Sequence, residues 1–183
     1  MIRLLLIAAF LFSYHSTAHA FSSSLGVETW SLRGSISDSG AMGFYVEGRY
    51  DFPKVSDSSP SQVGLAYRLS SVNLHPNAAT DIYRDDRSTS MTLWEFGPTY
   101  CNAAFAPIAF CGTVGLLAGS IQQSLWTRND FTAAFVRVGV HLRINPMVFA
   151  DLDAQAFNAR ETIAERSTHI KARGVALGLG VSL

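Results

Sequence analysis

Hydrophobic and polar residues alternate along most of the chain after residue 20. The clearest segment is Gly174–Leu183, where the odd positions are Val or Leu and the even positions are Gly, Ala or Ser. A period of two is typical of a β-strand that has one apolar face and one small or polar face. Because an apolar final strand would be a bare edge in a soluble protein, the pattern favours a barrel that closes in a membrane.

Eight such segments follow one another, each roughly ten residues long and bounded by turn residues, which is the pattern of transmembrane β-barrels. The predicted strands are Leu25–Arg33, Ala41–Phe52, Gln62–Val72, Ser90–Cys101, Pro107–Gln122, Phe131–Ile144, Met147–Asn158 and Ile170–Leu183. The predicted outer loops are Gly34–Gly40, Asn73–Thr89, Gln123–Asp130 and Ala159–His169, and the predicted inner turns are Pro53–Ser61, Asn102–Ala106 and Asn145–Pro146. We therefore expect an all-β fold, an eight-stranded antiparallel up-and-down transmembrane β-barrel, over residues 21–183.

Residues 1–20 have the features of a secretory signal peptide. Arg3 supplies a positive start, and Leu4–Phe12 is an apolar stretch too short to cross a bilayer as a helix. Ala18–Ala20 is a small-x-small cleavage site. We expect this segment to be removed on export, leaving a single domain that begins at Phe21.

The polar faces of the predicted strands carry charged residues that would lie inside the barrel. Side chains just fill the interior of an eight-stranded barrel, and an unpaired buried ion costs several kcal/mol. We therefore expect one buried network of paired charges, with space for the arginines provided by the small residues of the last strand. Its predicted members are Glu47, Arg49, Arg68, Glu95, Arg137, His141, Arg143, Asp151 and Asp153.

Cys101 and Cys111 are the only two cysteines of this exported chain. Because they are ten residues apart, they share a strand face and would meet across a hairpin that turns near Phe105–Pro107. An oxidising compartment permits a disulfide there, which would act as a staple. Two free cysteines in the core are the alternative. A redox or metal site is not favoured, because the sequence has no CxxC motif and no His near either cysteine.

The predicted signal peptide, eight alternating strands, charged interior and apolar last strand resemble the small outer-membrane barrels of Gram-negative bacteria. The models are the transmembrane domain of outer membrane protein A and the OmpX-like proteins. The resemblance covers residues 21–183 and is one of pattern, and Leu183 departs from the usual terminal Phe or Trp. It implies insertion by the barrel assembly machinery. We expect an outer-membrane protein that is monomeric or weakly associated, contacts outer-membrane lipids and lipopolysaccharide, and needs no cofactor or metal.

A structural or surface-interaction role is the function we expect, with the loops facing an extracellular partner. The formal net charge is zero, which gives no electrostatic reason to expect nucleic acid. The alternatives are a lipid A-modifying enzyme, a narrow channel, and a soluble periplasmic lipid-binding barrel with its faces reversed. No catalytic residue is assigned, because His141-Leu142-Arg143 lacks the His-x-Ser pair of the lipid A deacylases, and the first predicted loop has no His for a palmitoyltransferase-like site.

Two further groups of residues are expected at the edges of the barrel. Aromatic residues near strand ends suit a membrane interface: Trp30, Tyr50, Phe52, Trp94, Tyr100, Trp126, Phe131 and Phe149. Charged residues cluster in the second and fourth outer loops: Asp81, Arg84, Asp85, Asp86, Arg87, Arg160, Glu161, Glu165 and Arg166. Basic side chains in such loops would suit lipopolysaccharide phosphates.

Overall fold

A computed structural model describes residues 21–34, 39–53, 59–74, 89–122, 128–163 and 166–183. They form eight strands: β1 (Phe21–Gly34), β2 (Ser39–Asp51), β3 (Ser61–Leu74), β4 (Thr89–Phe105), β5 (Ile108–Gln122), β6 (Arg128–Arg143), β7 (Val148–Ile163) and β8 (Arg166–Ser182). Each strand pairs antiparallel with the next, and β8 pairs with β1 to close the barrel. This confirms the predicted fold class. Among the described residues there is no helix of the length and apolarity needed to cross a bilayer.

The two ends of the barrel differ in their connections. At the turn end lie Phe21, Ser182 and the described connecting residues 52–53, 59–60, 106–107 and 144–147. The strand ends at the loop end are Gly34, Ser39, Leu74, Thr89, Gln122, Arg128, Ile163 and Arg166, and the residues that join them in sequence lie outside the described part of the chain. The predicted second-loop charges and Trp126 lie outside the described residues, as do residues 1–20.

Two of the predicted connections are wrong, and β1 begins at Phe21, four residues before its predicted start at Leu25. The predicted loop Ala159–His169 is largely paired, because β7 and β8 continue to the rung at which Ile163 faces Arg166. The predicted turn Asn102–Ala106 is mostly strand, since β4 passes an irregularity between Asn102 and Phe105 and ends at a tight turn with a cis Ala106-Pro107 peptide.

The outer wall of the barrel is apolar over most of its height. The exposed side chains come from every strand and include Leu25, Phe44, Val63, Trp94, Phe96, Leu116, Val138, Leu152, Leu177 and Leu179. A wall of this kind suits contact with lipid, because exposing so much apolar surface to water would be unfavourable. The soluble alternative with its apolar faces inside is therefore wrong.

The interior at the loop end is filled by an apolar plug to which all eight strands contribute. Its members are Trp30, Leu32, Ala41, Val72, Leu74, Met91, Leu93, Leu117, Ile121, Phe131, Phe135, Phe157, Ala159, Ile170 and Ala172. Phe157 packs edge-on against Trp30 and stacks on Phe131, with ring centroids 5.5 and 5.9 Å apart. The plug gives no support to the channel alternative, because these side chains occupy the barrel axis that ions would follow.

The plug also corrects the predicted aromatic interface. Trp30 and Phe131 are only 3% and 4% exposed and lie inside the barrel, because their strand positions put them on the inward face. Phe149 is also turned inward and stacks on His141. Trp94, Tyr100 and Phe52 are exposed on the outer wall, as expected.

Candidate functional site

The middle of the barrel holds a cluster of ion pairs centred on Arg68 of β3. The Arg68 guanidinium is fully buried, and its Nε donates a hydrogen bond of 2.8 Å to Oε2 of Glu47 on β2. Its Nη2 also forms an ion pair with Asp153 of β7, and its Nη1 donates to Oε1 of Gln155 at 3.4 Å. One side chain therefore joins three strands across the lumen.

Arg137 of β6 extends this central cluster. Its Nη1 lies 3.1 Å from Oε2 of Glu47 and 3.1 Å from Oε2 of Glu95 on β4. Glu47 is thus shared by both arginines. Gln155 continues the chain of contacts, because its Nε2 donates to Oε2 of Glu28 on β1 at 3.1 Å. The guanidinium groups gain charge-assisted hydrogen bonds that offset their removal from water.

A second buried group lies beside the central cluster. The hydroxyls of Tyr45 and Ser24 donate to Oδ2 of Asp151, over 3.0 and 3.1 Å. The guanidinium of Arg68 lies over the Tyr45 ring, 4.0 Å from its centroid, which is close enough for a cation–π contact. The two groups therefore share one packed interior.

The glycines of β8 provide the space that this packing needs. A Cβ at Gly178 would collide with the Tyr45 hydroxyl and with Asp151, and a Cβ at Gly174 would collide with the Trp30 ring. The small residues of this strand were expected to make room for arginines. The structure instead shows them against aromatic rings and a carboxylate.

The turn end opens into a cavity of about 190 Å³. Cys101 and Cys111 face each other across β4 and β5 and form a disulfide in its wall. Arg49 lies beside them, with its Nη1 3.3 Å from Sγ of Cys101 and 3.7 Å from Sγ of Cys111. The same guanidinium forms an ion pair of 3.0 Å with Asp51 and approaches Nδ1 of His141 to 3.4 Å.

The predicted interior residues are thus divided between these groups. Five lie in the central cluster: Glu47, Arg68, Glu95, Arg137 and Asp153. Asp151 lies in the Tyr45 group, and Arg49 and His141 lie at the turn end. Arg143 is the exception, because it is exposed at the end of β6 and lines only the mouth of the cavity.

Five members of the interior groups were not predicted: Ser24, Glu28, Tyr45, Asp51 and Gln155. Glu28 is completely buried, and its inward position follows from the alternation of β1 around Leu25 and Val27. The period of two along the strand was therefore sufficient to predict that Glu28 faces inward. The same alternation puts Tyr45 on the face of Glu47 and Arg49, but nothing in the sequence indicates that its hydroxyl donates to Asp151.

A third feature lies on the outer wall, near the loop end. A groove of about 950 Å³ over β6, β7, β8 and β1 has a lining that is half apolar, with Val136 and Ala156 among these residues. Its polar lining residues are Ser31, Arg33, Asn158, His169, Lys171 and Arg173. These side chains are exposed and point towards the surroundings of the barrel. Among the residues that the structure describes, none of the four basic side chains forms an ion pair with an acid. We call this feature the basic groove.

The described part of the chain contains no evident metal-binding site. No group of three His, Cys, Asp or Glu side chains is arranged there to hold a metal ion.

No protein-family model and no curated protein sequence matches this chain. Solved structures do match it. Ail of Yersinia pestis, in complex with the heparin analogue sucrose octasulfate, has a TM-score of 0.57 at 13% identity and covers 91% of this chain and 100% of its own. Neisserial surface protein A has a TM-score of 0.60 at 12% identity and covers 90% of this chain and 97% of its own. OprG of Pseudomonas aeruginosa has a TM-score of 0.54 at 10% identity and covers 92% of this chain and 97% of its own.

At these identities the likeness concerns the fold. The chain has the fold of the small eight-stranded outer-membrane β-barrels, which is the resemblance that its alternating pattern predicts. Together with the apolar outer wall, this confirms the prediction of an outer-membrane barrel at the level of the fold.

Proposed function

We propose that the protein is a monomeric, non-enzymatic barrel of the outer membrane that binds lipopolysaccharide through the basic groove and exposes its loops to an extracellular partner. The basic groove is the observation that carries this proposal. Outer-membrane barrels place their long connections outside the cell. The loop end then faces the outer leaflet, whose lipid carries phosphorylated sugars.

The groove lies where the apolar wall gives way to polar residues. On the lipid-facing side of β8, Val181, Leu179, Leu177 and Val175 are followed by Arg173, Lys171 and His169. β1 changes in the same direction, from Leu25 and Val27 to Thr29, Ser31 and Arg33. Strand pairing brings the two series together, because Arg33 faces Lys171 and Ser31 faces Arg173. This height corresponds to a membrane–water boundary.

The chemistry of the groove suits a phosphate group. Arg33 and Arg173 each present a planar guanidinium that can donate two parallel hydrogen bonds to phosphate oxygens, and Lys171 between them adds a third cation. Long basic side chains at this height also place their stems on apolar surface and their charges at the interface. Neutral polar residues occupy the corresponding height on β3, β4 and β5, namely Ser71, Asn73, Ser90, Thr92, Ser120 and Gln122. Near the loop end, the described side chains of β6 and β7 include one exposed acid and one exposed base, Asp130 and Arg160, so the excess of positive charge is concentrated on the side of β1 and β8.

The comparison with Ail agrees with this type of ligand. That protein was solved with sucrose octasulfate, a sugar that carries several anionic groups. Lipid A is also an anionic sugar, although its charges are phosphates. The likeness extends only to the type of ligand, because an identity of 13% carries no residue correspondence between the two chains.

Binding of purified lipid A tests the proposal. We expect a variant with Arg33→Gln, Lys171→Gln and Arg173→Gln to bind diphosphorylated lipid A in detergent micelles at least 10-fold more weakly than the unchanged protein. One charge-assisted hydrogen bond is worth about 1.5–3 kcal/mol, which corresponds to roughly a 10-fold change or more in affinity. The variant and the unchanged protein should bind dephosphorylated lipid A with equal affinity.

Arg143→Gln is the control, since it removes an exposed cation at the turn end. It should leave lipid A binding unchanged. Equal binding of diphosphorylated lipid A by the triple variant and the unchanged protein would contradict the proposal.

A further inference from the structure

The disulfide at the turn end lies in the wall of the 190 Å³ cavity. Cys111 is partly exposed, whereas Cys101 is buried, with 7% of its surface exposed. This cavity is much larger than the space that one water needs. Pro107 and Pro146, from two tight turns at this end, also line the cavity.

A cation contacts both sulfurs from the side of the lumen. Arg49 Nη1 is closer to Sγ of Cys101, at 3.3 Å, than to Sγ of Cys111, at 3.7 Å. Asp51 holds the guanidinium in place through an ion pair of 3.0 Å. A cation beside a sulfur favours the thiolate over the thiol, and a sulfur that leaves readily as a thiolate makes a disulfide easier to open.

These two observations select one direction of attack. Cys111 is the more exposed of the two residues, whereas Cys101 is the one that lies closer to Arg49. A nucleophile that enters from the cavity therefore reaches Cys111 first. The sulfur that departs is then the one that the guanidinium can stabilise.

We propose that Cys101–Cys111 is a thiol–disulfide exchange site open to the periplasm, with a low-molecular-weight thiol as its co-substrate and Arg49 stabilising the departing sulfur. The thiolate of the small molecule attacks Sγ of Cys111 and forms a new S–S bond. The Cys101–Cys111 bond breaks, and its electron pair remains on Sγ of Cys101 as a thiolate.

A second small thiolate completes the cycle by attacking the mixed disulfide at its non-protein sulfur. That step releases the oxidised small molecule and leaves Cys111 as a thiolate, which takes a proton from water. Two electrons have then passed from two small thiols to the protein disulfide. The reverse sequence reoxidises the protein, with the disulfide form of the small molecule as the oxidant.

Glutathione is a suitable probe with the whole barrel folded in detergent micelles. Samples are quenched with acid at intervals, and the glutathione adduct is located by mass spectrometry of peptides. We expect the adduct at Cys111. We expect Arg49→Gln to slow adduct formation about 10-fold, and Arg49→Lys to restore most of the rate because it retains the positive charge.

Arg143→Gln is the matched control, because Arg143 lines the same cavity and no contact with either sulfur is seen. Its rate should equal that of the unchanged protein. Each sample is also run unboiled on a gel, so that only folded barrel is counted. Three results would overturn the proposal: a disulfide that resists glutathione in the folded barrel, equal rates with and without Arg49, or an adduct at Cys101.

Discussion

At the scale of single residues, Arg68 is the centre of the buried polar interior. Its side chain is completely buried and contacts Glu47, Asp153, Gln155 and the Tyr45 ring. Replacing one partner of a buried ion pair is more costly than removing the whole pair, because the remaining charges stay buried without compensation. The arginines of the central cluster are therefore expected to dominate the polar contribution to stability.

Replacing Arg68 tests this expectation. Arg68→Met keeps a similar length of side chain but leaves Glu47 and Asp153 without their shared cation. We expect the free energy of unfolding, measured by urea titration in micelles, to fall by about 3–5 kcal/mol. Arg143→Met, the same change at an exposed position, should leave it unchanged. Equal stability of the two variants would show that the central cluster is not a stabilising network.

The odd or even position of a residue along its strand predicted which charged side chains face inward, but not how these side chains pair. Glu47 and Arg68 are cross-strand neighbours, so their contact follows from the hairpin alone. Arg68 and Asp153, in contrast, are 85 positions apart and meet across the lumen. That meeting depends on the stagger of the closed barrel, which a single sequence does not reveal.

At the scale of strands, the inward face of β8 acts as a set of recesses for larger side chains of its neighbours. Gly174 receives the Trp30 ring, Gly178 receives the Tyr45 hydroxyl and Gly180 receives the Phe149 ring. This arrangement joins β8 to β1, β2 and β7. A small residue on this strand is therefore required by packing, since the surrounding interior is already filled.

Gly178→Ala should be destabilising for this reason. Its Cβ would collide with Tyr45 and Asp151, and overpacking of this kind costs about 1–3 kcal/mol. Gly112→Ala on β5 is the control, because a Cβ there meets nothing within 4 Å and Ala also restricts the unfolded chain. Urea titration should show a lower midpoint for the first variant only. A midpoint unchanged by Gly178→Ala would contradict the proposed recess.

Strand boundaries were predicted best where one face contacts lipid. The alternation of Val175, Leu177 and Leu179 marks β8 clearly, but the part of β8 before Ile170 was predicted to be loop. Beyond the apolar wall, the sequence from Glu161 to Thr168 shows no alternation of apolar and polar residues. The pairing of β7 and β8 continues there through backbone hydrogen bonds, which leave no trace in the side-chain pattern.

At the scale of the whole molecule, the interior is layered along the barrel axis. The disulfide and Arg49 occupy the turn end, the central cluster occupies the middle, and the apolar plug fills the loop end. The sequence predicted the charged interior but not the plug, because Trp30 and Phe131 were interpreted by their place near strand ends rather than by their parity. Small ligands are therefore expected to reach the lumen from the turn end.

The central claim is that this chain forms a closed barrel embedded in the outer membrane, and gel mobility of the outer-membrane fraction tests it most directly. Samples are run boiled and unboiled without reductant, so that the disulfide stays intact. We expect the protein in the outer-membrane fraction, with an unboiled band that moves to a different position after boiling, because the closed barrel resists detergent until it is heated. A protein found in the soluble periplasmic fraction, with the same mobility before and after boiling, would contradict the claim.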